Sequence, residues 1–236
     1  MRKFIFSFAI AVLALSLSAQ DLDKILKDHY KASGQDKVTN ITSVTMKGSL
    51  VAMGMETEMT MYQARPLNLR IEAEIMGGKM IQTYNGTTGW IYGPTIGIMQ
   101  PQELGADDLK NLVSQAEIDS PLWDYEAKGN KLELLGMSDD GSEHKIKLTT
   151  SAGDDITIFL NKETSLLSRM QMSQVVNGME SNIEIELKDY KEVKGIPTPH
   201  FMDTKMGGQT MSTINFKTIE YNKSLDAALF GKPVVE

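Results

Sequence analysis

From Thr42 to Tyr221 apolar side chains recur at every second position, and this period of two is interrupted for a long stretch only once. A period of two places successive side chains on opposite faces of an extended chain, so the sequence must build sheet that is apolar on one side and polar on the other. In the first such segment Val44, Met46, Leu50 and Ala52 share one face, while Ser43, Thr45, Lys47 and Ser49 share the other. Gly54 interrupts, and Met55, Met59 and Met61 then alternate with Glu56, Glu58 and Thr60, which predicts a hairpin or a bulge. Arg65-Pro66 punctuates before Leu69, Ile71, Ala73 and Ile75. Gly77-Gly78 and Asn85-Gly86 flank a further strand, and Trp90 and Tyr92 lie on another. The first half therefore reads as an antiparallel meander.

The pattern breaks at Gly93-Pro94, Gly97 and Pro101, which read as an irregular link. Glu103 to Glu117 then carries Leu109, Leu112, Val113 and Ala116 at helical spacing, with Pro121-Leu122-Trp123 just beyond. Alternation returns in Leu132 and Leu134, in Ile146 and Leu148, and in Ile156, Ile158 and Leu160. Met170 and Met172 follow, then Ile183, Ile185 and Leu187 against Glu184, Glu186 and Lys188, and finally His200 to Met206 and Gln209 to Tyr221. A second helix precedes the strands, because Leu22, Ile25, Leu26, His29 and Tyr30 form one stripe that Ser33-Gly34 ends.

The fold class is mainly β with a few helices: an open, curved antiparallel β-barrel of about eleven strands with a helical lid. Two short helices are little material to cover the apolar face of so wide a sheet. A partly empty apolar cavity and a fully packed core both satisfy the pattern.

Residues 1–19 form a separate object. Arg2 and Lys3 precede an apolar run from Phe4 to Leu17, and Ser18-Ala19 supply small residues before Gln20. This is a secretory signal peptide with cleavage after Ala19, because a membrane anchor needs about 20 predominantly apolar residues. Residues 20–236 are then one exported domain. Without Cys it has neither a disulfide nor an acylation site of its own.

Chemistry-bearing patterns are scarce. The three His have no metal-ligand spacing, and no nucleophile elbow or phosphate-cradling loop occurs. Asp107-Asp108, Asp139-Asp140 and Asp154-Asp155 are turn or helix-start pairs rather than acid/base partners. With 24 basic against 31 acidic side chains, a nucleic-acid partner is not expected. The expectation is a binding protein, not an enzyme, with no cofactor and no metal. Methionine is the compositional oddity, 16 residues with Met53, Met55, Met59 and Met61 in one parity. Such a stripe either lines a surface that remoulds around apolar partners or fills an ordinary core.

Several stretches, in order, resemble a known family. They are Tyr30-Lys31-Ala32-Ser33-Gly34-Gln35-Asp36-Lys37-Val38, Arg65-Pro66-Leu67-Asn68-Leu69-Arg70, Ile81-Gln82-Thr83-Tyr84-Asn85-Gly86-Thr87-Thr88-Gly89-Trp90 with Tyr92 and Pro94, Tyr190-Lys191-Glu192-Val193-Lys194-Gly195-Ile196-Pro197, and Asn222 with Leu225, Phe230 and Pro233. Over nearly the whole exported part the chain resembles the periplasmic outer-membrane lipoprotein carrier and sorting family, the LolA/LolB-like proteins, in their Bacteroidetes form. The resemblance implies an open barrel with helices as a lid and a cavity for acyl chains. It also implies that Arg65, preceding Pro66, contacts the lid and helps hold it closed.

The expected function is a soluble, monomeric periplasmic carrier that shields acyl chains of lipoproteins or lipids on the way to the outer membrane, exchanging them with inner- and outer-membrane envelope proteins. The other reading is an envelope regulatory or structural module that binds a lipid signal or a partner protein without transport. Expected cavity residues are Met46, Leu50, Met53, Met55, Met59, Met61, Leu69, Ile71, Met170, Met172, Ile183 and Ile185. Arg65, Trp90, Leu109, Leu112 and Trp123 are expected at the lid.

Overall fold

The computed structural model describes residues 21–176 and 179–235, so the expected signal segment lies outside the described residues. The chain opens with α1, residues 21–32, and the single turn α2, Gln35–Val38. Six strands follow: β1 (Ser43–Ala52), β2 (Met55–Ala64), β3 (Asn68–Ile75), β4 (Gly78–Asn85), β5 (Gly89–Gly93) and β6 (Ile98–Glu103). After α3 (Ala106–Ala116) come β7 (Lys131–Met137), β8 (Glu143–Thr149), β9 (Asp155–Asn161), β10 (Leu167–Val176), β11 (Met179–Val193), β12 (Ile196–Met206) and β13 (Gln209–Tyr221).

Among the described residues one 13-stranded antiparallel sheet forms, in the order β6-β5-β4-β3-β2-β1-β13-β12-β11-β10-β9-β8-β7. It is two meanders joined along a single seam, where Val44 of β1 lies opposite Tyr221 of β13. Bulges at Lys47/Gly48, Leu134/Gly136, Leu167/Arg169 and Thr204/Lys205 bend the strands and curve the sheet. At the first of these Gly48 approaches β13 so closely that a Cβ would collide with the Asn215 carbonyl. The expected count of about eleven strands is corrected by β6, which occupies the segment read as an irregular link. Pro101 is tolerated there because β6 is an edge strand and needs no amide on its outer side.

The two edges, β6 and β7, are joined by α3 and the segment after it, and this connection roofs the concave face. Leu112, 1% exposed, and Ala116 pack on Met59, Met61, Leu69, Ala73 and Tyr84. Ile118 joins a second cluster at the seam, with Ile41, Val44, Phe216 and Ile219. Leu122, fully buried, joins a third with Leu26 of α1 and Ile146, Leu148, Ile158 and Leu160. Each such leucine contributes roughly 1.5–3 kcal/mol. Residues 117–123 therefore form a strap that continues from the α3 cluster across the other two. No helix among the described residues is long and apolar enough to cross a membrane.

The outer face is ionic where β8 to β12 run. Arg169 donates to Glu143 and Glu184 at 2.8 Å and lies 3.6 Å above the buried Phe159 ring. Over β3 to β5 the outer face is instead covered by the C-terminal segment: the Thr83 hydroxyl donates to the Gly231 carbonyl and Arg70 to that of Leu229, both at 2.9 Å, with Phe230 buried.

Candidate functional site

Cross-strand register gathers the inward-facing side chains into one surface. Met46 stands between Met61 and Ile219, and Met61 between Met46 and Ile71. On the far side of the seam Met170 stands between Ile158 and Ile185, and Met172 between Ile156 and Ile183. Asp189 and Lys191 continue the inward parity of β11 and pair with each other at 2.7 Å near the strap end, but among the described residues the inward positions of β1 to β4 and β9, Met170 and Met172 of β10, and Ile183, Ile185 and Leu187 of β11 carry no charge. A ligand group with a formal charge would find no counter-ion there, so the surface suits hydrocarbon.

The roof covers this surface unevenly. Leu69 is fully buried, and Met59 and Met61 are 5% and 8% exposed beneath α3. Met46, Leu50, Ile71, Met170, Met172, Ile183 and Ile185 are half-buried. They form an apolar trough along the inner face that solvent partly reaches, its flanks packed against the clusters under α3, at the seam and under α1. Two depressions are of mixed character: one of about 350 Å³ where Met59 and Ala73 meet Glu58, Glu72, Glu74 and Lys79, and one of about 490 Å³ between α1 and β7–β8 where Ile25, Leu134 and Leu160 meet Asp21, Lys24, Asp28 and Lys162.

Three of the expected site residues lie elsewhere. Met53 is 87% exposed because it occupies the two-residue turn between β1 and β2, where strand parity no longer decides direction. Met55, the first residue of β2, keeps the inward parity but is 46% exposed at the rim. Trp90 is on the opposite face from the lid: it pairs with Thr83, and the Lys232 ammonium lies 4.9 Å from its ring centroid beneath the C-terminal segment. The next-door Gly89 is the lid-facing residue, where a Cβ would come within 2.7 Å of Leu109 Cδ2 and 3.1 Å of Leu112 Cδ1.

The strap is held by polar anchors at one end of the sheet. Arg65 donates from Nη1 and Nη2 to the Asp119 carboxylate at 2.5 and 2.8 Å, and from Nε and Nη2 to the carbonyls of Ile41 and Val38 at 2.7 and 3.1 Å. Gln35 donates to the same carboxylate at 2.9 Å. Burial alone would raise the Asp119 carboxyl, but the bonds and charge of Arg65, with help from Gln35, hold it below its ordinary value. The partnership with Asp119 in turn raises the Arg65 guanidinium. Arg65 thus touches the strap behind α3, not α3 itself.

His29, 2% exposed, is the second anchor. Nδ1 lies 2.9 Å from the Ser165 carbonyl and Nε2 2.9 Å from the Ser120 hydroxyl. A carbonyl only accepts, so Nδ1 carries the proton and Nε2 of the neutral ring accepts from Ser120. Burial lowers the His29 pKa, against the opposing Ser165 bond. Tyr30 donates to the Leu122 carbonyl at 2.6 Å, its phenol pushed up to about 12 by burial, and meets the Trp123 ring edge-on at 4.9 Å. Asp119, Ser120 and Gln35 had no sequence signal, since each acts through a partner more than fifty residues away.

The fold is shared with solved structures. A DUF1329 family protein from Desulfovibrio piger superposes with a TM-score of 0.58 at 14% identity, covering 88% of this chain and 97% of that one. A putative outer membrane lipoprotein-sorting protein domain from Vibrio parahaemolyticus gives 0.57 at 9% identity, covering 88% and 94%. A LolA superfamily protein from Nitrosomonas europaea gives 0.54 at 12%, covering 81% and 90%. The chain has a LolA-like fold. No protein-family model and no curated protein matches it in sequence. In this LolA-like sheet the strap anchors lie at the end opposite the turns 53–54, 76–77 and 207–208.

Proposed function

We propose that the chain is an exported, periplasmic, monomeric carrier that takes acyl chains of lipoproteins or lipids into the trough and delivers them towards the outer membrane. It performs no covalent chemistry and uses neither metal nor cofactor. The observation that carries this reading is the half-exposed run of Met46, Leu50, Ile71, Met170, Met172, Ile183 and Ile185, an uncharged stretch of inward surface flanked by packed clusters. Transfer of hydrocarbon out of water gains about 0.8 kcal/mol per methylene, so a lined trough is sufficient for binding. The likeness in fold to a lipoprotein-sorting domain supports the same reading. Purification from the native envelope followed by mass spectrometry should recover co-purifying lipid or acylated protein. Replacing half-buried Met46 and Ile71 by Asp should abolish that recovery. A wild-type protein that emerges free of lipid, and also fails to bind a fluorescent fatty acid, refutes the proposal.

A further inference from the structure

Asp21, Lys24, Ile25 and Asp28 fall at i, i+3, i+4 and i+7 of α1, so they share one stripe of the helix. That stripe is one wall of the depression of about 490 Å³. The other wall is the inner face at the ends of β7 to β9, where pairing lines up Met137, His144 and Leu160, with Lys162 and Ser165 in the turn that follows. The bulge at Leu134/Gly136 turns Leu134 and Met137 to the same face although they are an odd number of residues apart. Gly136 stands at φ 97°, and a Cβ there would meet nothing within 4 Å, so the wall is open at that point.

The floor is apolar, made by Ile25, Leu134, Met137 and Leu160. The rim is charged, and its charges are unevenly satisfied. His29 and His200 both hydrogen-bond through Nδ1, whereas half-buried His144 makes no hydrogen bond among the described residues. Burial lowers its imidazole first, and the ammonium groups of Lys162 and Lys24 lower it further, which puts both of them on the same side of the cavity as the ring. Exposed Lys162 forms no ion pair among the described residues. Lys24 is paired to Asp28 at 2.7 Å, and Asp28 also feels the ammonium groups of Lys27 and Lys31. Asp21 is the remaining carboxylate of the lining. The surplus charge is therefore positive, and it surrounds an imidazole with free ring nitrogens.

We propose that this cavity binds a small organic anion, a single carboxylate or phosphate carried on a compact apolar body. Lys162, His144 and Lys24 hold the anionic group, and the body rests on Ile25, Leu134, Met137 and Leu160. Ammonium and imidazole groups donate to carboxylate and phosphate oxygens in charge-assisted bonds. An apolar lining with a few convergent polar groups, at this volume, is the make-up of a small-molecule site. A cation on the same body meets the ammonium surplus, and a neutral group gains no charge-assisted bond. None of the half-buried trough residues borders the cavity, so the proposal stands apart from the acyl-chain reading. The occupant would bridge α1 to β7–β9 beside a strap anchor, because Ser165 in the wall gives its carbonyl to His29.

The test is calorimetric titration of the full exported chain with phenylpropionate and with phenyl phosphate, against phenylpropanamide and phenylpropylamine, which carry a similar body without the negative charge. Both anions should bind, the amide roughly tenfold more weakly, and the amine not at all. Lys162→Met should weaken the anions roughly fivefold to tenfold and leave the amide unchanged, with a thermal melt matching wild type because the Lys162 side chain is exposed and unpaired. A bound negative charge favours the imidazolium, so phenylpropionate should raise the His144 titration read by NMR, against the fixed surroundings of Asp21, Lys24, Asp28 and Lys162. Saturating phenylpropionate should leave binding of a fluorescent fatty acid intact. Absence of binding by either anion overturns the proposal, as does an amide or amine that binds as well as the anions, a Lys162→Met variant with wild-type affinity, or an unmoved His144. Displacement of phenylpropionate by the fatty acid overturns it too, by assigning the anion to the trough.

Discussion

Uncoupling Arg65 from Asp119 should loosen the strap without dissolving the sheet. Their two hydrogen bonds, at 2.5 and 2.8 Å, join side chains that are 31% and 13% exposed. Hydrogen bonds to charged groups contribute about 1.5–3 kcal/mol each when desolvated, whereas fully exposed ion pairs contribute about 0.2–1 kcal/mol. Partial exposure of Arg65 places the pair between these limits, so a cycle of Arg65→Met, Asp119→Asn and the double variant should return a coupling of about 2 kcal/mol. Arg65→Met alone should cost more than Asp119→Asn alone, because it also strips the Ile41 and Val38 carbonyls of a donor. For a chain of this size 2 kcal/mol corresponds to a fall in Tm of roughly 4–8 °C. Urea unfolding supplies the free energies, and hydrogen exchange should show protection lost first at the amides of 117–123. A coupling below about 0.5 kcal/mol would make the pair a screened surface contact. Exchange quickened evenly across β1 to β13 would equally refute its role as a local anchor.

Gly48→Ala should destabilise by about 3 kcal/mol or more, because its Cβ meets the Asn215 backbone and the seam has no flexible side chain to yield; a near-normal urea midpoint would contradict the close approach. Burial sets the His29 pKa below that of the unfolded chain, so the unfolded state binds the proton first on acidification. The associated stability is complete above pH of about 6.5 and is lost as pH falls through the lowered folded value. The urea midpoint should therefore drop from pH 7 to 5 in wild type and drop less in His29→Gln, the remainder coming from His144, which burial also lowers. Identical slopes in the two proteins would remove His29 from the account.

The alternation of Met46, Leu50, Met59, Met61, Leu69 and Ile71 was readable from the sequence because strand parity is a local property, and it assigned them all to one face. Parity lapses inside a turn, and Met53 went astray for that reason. Trp90 followed a different logic: its alternation with Gly89 was visible, but which of the two met the lid depended on α3 packing against the small residue. Strand β6 was hidden because Gly97 and Pro101 mark irregular chain everywhere except at a sheet edge. Helix α3 was legible from Leu109, Leu112 and Ala116, though it begins at Ala106 rather than Glu103. Of the strap anchors only Arg65 was legible, through the family resemblance, and its partners were not. Asp119 is an ordinary acidic residue until folding brings Arg65 and Gln35 to it, and no periodicity encodes that meeting.

The seam between β1 and β13 also governs how the molecule comes into being. The Thr42 amide donates to Asn222 Oδ1 at 2.7 Å across a separation of 180 residues, and every pairing along the seam is nearly as remote. Hairpins on either side form by short searches, whereas this contact is the slowest to find. Until β13 arrives, β1 presents a bare strand edge to the solution. A nascent or truncated chain ending before Gln209 keeps that edge permanently, and a second copy offering its own β13 is the most complementary strand to fill it.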